Sequence, residues 1–407
     1  MKYFKYWLSL CLFNFFLVAL LGTMMRYNIA FSLPGFNHKF MQESHSHFAF
    51  YGWASACIYL FVTNYLVRKS PQINIRKYQW MMIFNQAGSY GMLFSFLYGG
   101  YYWLSIAFSS VALFSGFFYF IFLLLDTQKN KDSGIVWLKA GAFFATLSSL
   151  GIFGLAYLSA TKTVMDEIHR ASIYLYLHFQ YNGFFFFSCI GLLLLYLEKH
   201  GIKEYEKVLK RSFYLLFYGT FFGYGLSLLW MSMPGWLYGF FILVAVVQLT
   251  GACKLWLVLK KYWTALTQKE GTIRNILLSI AIFALLSKFL FQFLSVIPQV
   301  GIYAFHTLNI VIAYLHWVLL VGISMFLIWM IFRARIFRIT NALKLFLSLM
   351  LAGILLNELI LGISGLFSVY MIPFRASSSL LLGASFLIML SVLGILFSLR
   401  PEENSLK

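Results

Sequence analysis

Apolar runs of about 20 or more residues recur along the whole chain, near 6–30, 45–67, 79–98, 101–125, 136–160, 171–196, 212–231, 235–259, 275–296, 302–332, 340–370 and 377–399. Each is long enough to cross about 30 Å of hydrocarbon as a helix. In lipid a helix satisfies every backbone N–H and C=O within its own segment, so runs of this length have few other solutions. Twelve of them predict an all-α polytopic membrane protein with twelve transmembrane helices in one membrane domain, 1–407. Composition agrees: 61% of residues are hydrophobic, 11% are charged and the mean hydropathy is +0.81, which excludes a water-soluble domain with a single core. The first run follows two lysines, exceeds a signal-peptide core and lacks a small-x-small cleavage site, so it reads as a retained span.

Lys and Arg number 31 against 12 acids. In a soluble protein that excess would point to nucleic acid, but here the basic residues stand in short loops between apolar runs. On alternate sides of the predicted spans, 24 fall on one side, 4 on the other (Lys39, Lys162, Arg170, Arg375) and 3 in or near spans (Arg26, Lys254, Lys288). The positive-inside rule then places both termini in the cytoplasm, and the expected location is a bacterial inner membrane. No hydrophilic loop is long, so function lies within the helices or in a partner. Cys11, Cys57, Cys189 and Cys253 all fall in apolar runs without CxxC spacing and read as core filler.

The histidines are patterned. His200 belongs to the charged loop "LEKHGIKEYEK" and receives no role. The other seven, His38, His45, His47, His169, His178, His306 and His316, fall at the outer ends of the second, sixth and tenth spans. The segments "ESHSHFAFYGW", "LYLHFQYNGFF" and "AYLHWVLLVGI" share a histidine followed by an aromatic, with a glycine five or six residues on. Successive central histidines, His47, His178 and His316, lie 131 and 138 residues apart, close to a third of the chain. This period predicts three pseudo-symmetric four-helix units, about 1–130, 131–270 and 271–407, with the central imidazoles at one depth. Neutral imidazole there is a ligand for haem iron, copper or zinc.

His38, His169 and His306 precede the central histidines by nine or ten residues, about 13.5 Å along a helix, and would form a second layer. Pro34 and Gly35 put His38 in a loop. His45, two residues before His47 and turned about 200° from it, either serves a second cofactor or caps the helix. Tyr51, Tyr181 and Trp317 either line a pocket or simply pack. Polar residues inside spans are few: Gln86, Lys288, Gln292, Asn357 and Glu358. Lys288 and Glu358 either pair, join a proton path or serve helix contacts. Arg26, Arg170 and Arg375 either meet haem propionates or anchor the interface.

Twelve spans with histidines on the second, sixth and tenth resemble the catalytic subunit of the haem–copper oxidase superfamily, which includes the nitric oxide reductases. "HSHFAFYG" (His45 to Gly52) is similar to a His-x-His-Leu-Ala-Phe-Tyr-Gly motif that nitric oxide reductases carry on the tenth helix, whereas here it stands on the second. "HFQYNGFF" (His178 to Phe185) resembles the sixth-helix copper-ligand motif of cbb3-type enzymes. An early His-x-His also occurs in the smaller NnrS-type haem–copper membrane proteins. The resemblance spans the whole chain in topology but only these motifs in sequence. It implies a b-type haem with His47 and His316 as axial ligands, His178 on a nonhaem metal such as copper, and His306 on a high-spin haem or that metal. The family's adjacent histidine pair on the seventh helix is missing from "SFYLLFYGTFFGYGLSLLWM".

The resemblance thus implies a haem protein or a haem–copper protein. Such a protein would bind or reduce nitric oxide or oxygen near the periplasmic face, with His45 and His306 joining the cofactor ligands and His38, His169 and His178 the metal ligands. As an enzyme it would be an oxidoreductase. With no CxxCH for covalent haem, electrons come from another protein or subunit. The rival readings are a transporter or channel for a metal ion or small solute, and a non-catalytic haem or copper assembly or sensing protein.

Overall fold

A computed structural model of the chain describes residues 2–161, 165–198, 206–268 and 270–402. His200 and the basic residues Lys162, Lys199, Lys203, Lys269 and Lys407 lie outside these described residues. Among the described residues the elements are helical, apart from an isolated bridge between Phe337 and Pro401. In order they are α1 (Lys2–Phe31), α2 (His38–His47), π1 (Phe48–Ser55), α3 (Ala56–Lys69), α4 (Ile75–Gly99), α5 (Trp103–Asp126) and α6 (Ser133–Thr161). Then come α7 (Asp166–Leu177), π2 (His178–Phe185), α8 (Phe186–Leu197), α9 (Glu206–Phe222), a 3₁₀ turn (Gly223–Leu228), α10 (Gly235–Lys261) and α11 (Trp263–Thr267). The last are α12 (Thr272–Leu294), α13 (Pro298–His306), α14 (Leu308–His316), π3 (Trp317–Ser324), α15 (Met325–Arg333), α16 (Asn341–Val369) and α17 (Ser377–Phe397).

The protein is an all-α polytopic membrane protein, and among the described residues ten helical rods are long and apolar enough to cross a bilayer. Two of the twelve expected runs fall outside that set. Asn85, Gln86, Gly88, Ser89 and Tyr90 dilute the hydropathy of α4, and α9 runs for 17 residues before tightening into the 3₁₀ turn. The tenth run is not one helix either. Thr307, with extended backbone (φ −98°, ψ 104°), separates α13 from α14, so His306 ends a short helix of its own. His38 is not in a loop: it is the first residue of α2, which Asn37 caps by accepting from the backbone N–H of Lys39 and Phe40.

Three rods carry an eight-residue π-helical stretch, π1, π2 and π3, each at a central histidine. A π turn widens the helix by one residue, rotates the side chains that follow and disturbs the regular carbonyl pairing, a device common at functional sites. The repeat glycine falls inside each stretch, as Gly52, Gly183 and Gly322. A Cβ on Gly52 would lie 2.8 Å from the Phe48 ring, and one on Gly322 would lie 3.1 Å from Leu285.

The contacts divide the chain into two compact units. The first comprises Met1–Phe122, Thr272–Ser279 and Ser324–Lys407, the second Leu123–Gly271 and Ile280–Ile323. In the first, α1 packs on α17, α2 and π1, and α16 packs on α17. The most apolar window of the His38–Lys69 rod is 83% buried against 28% for α5, so the histidine-bearing rod is interior and α5 is turned outward.

In the second unit, α6 lies along the α7–π2–α8 rod, and α9 lies along α10. Glycines bring α6 to backbone contact. A Cβ on Gly134 would lie 2.6 Å from the Gly191 carbonyl oxygen, one on Gly141 3.0 Å from that of Phe184, and one on Gly151 2.5 Å from that of Ser172. Lipid tails are as apolar as leucine, so helices associate in a bilayer through such close van der Waals approach.

Candidate functional site

In the first unit the polar chemistry begins where π1 disturbs the backbone ladder. Carbonyls of Tyr51 and Gly52 are met by side-chain amides from two neighbouring helices. Asn85 Nδ2 donates to the Tyr51 oxygen at 2.9 Å, Asn14 Nδ2 donates to that of Gly52 at 2.6 Å, and Gln86 Nε2 stands 3.4 Å from the same oxygen. Asn14 also donates to Gln86 Oε1 (2.9 Å) and accepts from the Tyr90 hydroxyl (2.6 Å), so this fully buried amide is satisfied on every side. Gln86 is thus part of the scaffold of the π turn.

Immediately before that turn the two histidines of the His-x-His pair face different neighbours, as a two-residue step requires. His45 points at α1, with Nδ1 3.0 Å from the Val18 carbonyl oxygen. A carbonyl can only accept, so Nδ1 carries the hydrogen and the lone pair of the neutral ring is on Nε2. One turn along α1, Gly22 lies beside the ring: a Cβ there would make ordinary contact, 3.4 Å from its Cε1. A further turn on, Arg26 lies within electrostatic reach of both His45 and Glu358, whose Oε1 accepts from Asn357 Nδ2 at 2.9 Å.

His47 turns the other way, into an aromatic box at the end of α4. Its ring stacks on Phe96 at 4.6 Å with planes 2° apart, and its Nε2 lies 2.7 Å from the Tyr101 hydroxyl. Gly100, at φ 63°, makes the sharp exit from α4 that sets Tyr101 in place. Any side chain at 100 would also meet Phe40 and the Glu43 carboxylate, since its Cβ would lie 2.5 Å and 3.1 Å from them.

The second unit holds a different arrangement around His178, which is fully buried. Where α9 tightens into the 3₁₀ turn, the carbonyls of Gly219 and Thr220 gain side-chain donors: Gln248 Nε2 donates to the first at 2.8 Å and His178 Nε2 to the second at 2.9 Å. The other ring nitrogen, Nδ1, accepts from Asn182 Nδ2 at 3.1 Å, with Ser227 Oγ at 3.4 Å. Asn182 Oδ1 in turn accepts from the ammonium of Lys288 at 2.9 Å. That ammonium, also fully buried, lies 4.3 Å from the Phe186 ring centroid and 4.7 Å from that of Phe289. Lys288 therefore pairs with Asn182, and the charge partner of Glu358 is Arg26, in place of the Lys288–Glu358 pair entertained from the sequence.

The remaining predicted residues spread out. His38, His169 and His306 are exposed, on α2, α7 and the end of α13. His316 ends α14 in the second unit, next to π3. Arg170 is tied down by the Phe305 carbonyl (3.1 Å) and the Tyr174 hydroxyl (3.2 Å), with its guanidinium 4.3 Å from the Trp230 ring, while Arg375 is exposed. Asn14, Asn182 and Gln248 did not stand out in the sequence. Their only signal was an amide inside an apolar run, and for Asn182, two residues after Gln180, its position four residues after His178.

These donor sets fit the implied groups unequally. His45 fits a single axial ligand, because its carbonyl-held Nδ1 leaves Nε2 for a metal. His178 does not fit a copper ligand, because both of its nitrogens are committed to protein hydrogen bonds. Among the described residues no group of three or more His, Cys, Asp or Glu side chains could hold a metal ion. No protein-family model matches the chain, and no curated protein matches it either.

Proposed function

We propose that this is an integral membrane haem protein that binds or reduces a diatomic gas such as nitric oxide or oxygen, with His45 the side chain best prepared to ligate iron. The observation that carries the reading is the orientation of that imidazole by the Val18 carbonyl at 3.0 Å. A protein-held Nδ1–H fixes the tautomer and raises the basicity of Nε2. Arg26, electrostatically coupled to His45, is the cation suited to a haem propionate. Haem, when bound, supplies the iron that coordinates a gas and changes oxidation state. The chain's own residues orient the imidazole, place a positive charge beside it and exclude water with packed apolar helices.

His47 is the candidate within the first unit for a further haem ligand. Copper is left out of the proposal because the His178 nitrogens are occupied. The same reading takes the chain as twelve spans in three four-helix units, with both termini in the cytoplasm of a bacterial inner membrane. The recurrence of a central histidine with a π stretch at three places supports the repeat, and the one-sided distribution of basic residues supports the orientation. Electrons would arrive from a separate protein or subunit.

The test is a visible spectrum and a pyridine haemochrome assay on detergent-purified protein expressed with haem supplied. A Soret band that disappears in His45→Ala is the expected result, and its absence from the wild-type protein would refute the reading. The second reading, a transporter or channel, is favoured by the buried chain Lys288–Asn182–His178, since spans that carry solutes place polar groups in their interior. Uptake of a metal ion or solute into proteoliposomes by protein lacking any chromophore would put that reading first.

A further inference from the structure

We propose that the second unit binds internal water around Lys288 and so forms a hydrated, proton-exchanging site among its membrane-spanning helices. The inference does not depend on the haem reading. It rests first on an imbalance of donors. A lysine head group carries three N–H groups as the ammonium and two as the amine, more in either form than one acceptor uses. Lys288, fully buried, makes its hydrogen bond to Asn182 Oδ1 and otherwise faces the rings of Phe186 and Phe289.

The second observation is a set of buried oxygens with the opposite need. Thr220 Oγ1, Gln248 Oε1 and Gln292 Oε1 are shielded and have no hydrogen-bond partner in the protein. Gln292 lies four residues after Lys288 on α12, so the two share a helix face. Thr220 and Gln248 lie beside His178, the far end of the Lys288–Asn182–His178 chain. The Thr220 carbonyl accepts from that ring, and a Cβ on Gly223 would sit 2.5 Å from Gln248 Nε2 and 3.5 Å from His178 Cε1.

Surplus donors and orphan acceptors at the two ends of one buried chain are what a row of waters resolves, because each molecule accepts from one N–H or O–H and donates to the next oxygen. An anion would meet the need of Lys288 and worsen that of the oxygens. A metal cation would do the reverse. Water, or a proton passed through it, is the one ligand class that satisfies both. The titratable groups facing Lys288 are His178 and Cys189.

The full-length protein in lipid nanodiscs, labelled with ¹⁵N-lysine, tests this directly. The Lys288 ζ-nitrogen signal is assigned by its loss in Lys288→Arg, and transfer of its protons to bulk water is measured by NMR. Transfer should be detectable in the folded protein and should slow about tenfold or more in Thr220→Val and Gln248→Leu, which remove the orphan oxygens. Gln248→Leu also loses a bond to the Gly219 carbonyl, so if it fails to fold, Thr220→Val, which keeps its backbone acceptor, carries the test. A Lys288 signal that never exchanges with water, or that exchanges equally fast without those oxygens, would overturn the proposal.

Discussion

Replacing Asn14 by leucine, of similar volume, asks whether α1 holds the π turn that follows the His-x-His pair. Three hydrogen bonds vanish at once: to the Gly52 carbonyl (2.6 Å), to Gln86 Oε1 (2.9 Å) and from the Tyr90 hydroxyl (2.6 Å). Asn14 is 0% exposed, so no solvent replaces them. Side-chain hydrogen bonds between membrane helices average about 0.6 kcal/mol and reach about 1.7, so three of them predict a loss of roughly 2–5 kcal/mol. Gln86 Nε2 already stands 3.4 Å from the Gly52 oxygen and can move in to retain one partner. The lower half of that range, roughly 2–3 kcal/mol, is therefore expected. Reversible unfolding in mixed detergent micelles, followed by circular dichroism, gives the value. Tyr90→Phe and the double variant should yield a coupling of about 0.5 kcal/mol or more between the two positions. An Asn14→Leu protein within about 0.5 kcal/mol of wild type, or strict additivity with Tyr90→Phe, would show that the amide network does not hold the turn.

Three further outcomes are expected. Gly151→Ala would put a methyl 2.5 Å from the Ser172 carbonyl oxygen, forcing α6 off α7, and should cost about 1–3 kcal/mol in the same unfolding assay, whereas Gly239→Ala, with open space around it inside α10, should leave stability unchanged or raise it by up to about 1 kcal/mol. If His45 is the iron ligand, His45→Ala should remove most of the haem per chain measured by pyridine haemochrome, while His178→Gln should leave it unchanged. Tyr101 lies in the link between α4 and α5; burial of its hydroxyl against His47 raises the phenol above its ordinary value. The neutral form is thus favoured by folding, so the contribution to stability is complete below about pH 10 and is lost as pH rises toward the folded value. Wild type should lose thermal stability more steeply than Tyr101→Phe on raising the pH above about 10, and parallel curves for the two proteins would count against the assignment.

The rods were legible because hydrocarbon thickness imposes one length on every span, and a run such as Ser377–Phe397 has little else it can do. α4 was legible by spacing but not by composition, since Asn85 and Gln86 lower its hydropathy in order to serve π1. The recurrence of a histidine, an aromatic and a glycine pointed to three related segments. That each holds a π stretch was not readable, because adding one residue to a turn leaves both composition and apolar spacing nearly unchanged. The breaks at Thr307 and Gly223 were hidden for a related reason: neither carries a proline, and both stand in otherwise apolar sequence.

The candidate site was legible in its residue types and not in its partners. Histidines inside spans called for a satisfying group, and a metal was one answer. The backbone supplies another wherever a helix departs from the α pattern, because a carbonyl left without its regular amide needs a donor as much as an imidazole needs a partner. In the first unit α1 and α4 bring amides to the carbonyls of π1, which leaves the His45 Nε2 lone pair available for chemistry. In the second, His178 itself serves the carbonyl of Thr220, and its other nitrogen is committed to Asn182 and through it to Lys288. Two histidines, each next to a π stretch, thus face opposite fates: His45 is held by a regular carbonyl of α1 through one nitrogen, and His178 serves a disturbed carbonyl with one nitrogen and Asn182 with the other. An amide supplied from a neighbouring helix to the Thr220 carbonyl would release Nε2 of His178, the nitrogen that the disturbed backbone of the second unit now holds.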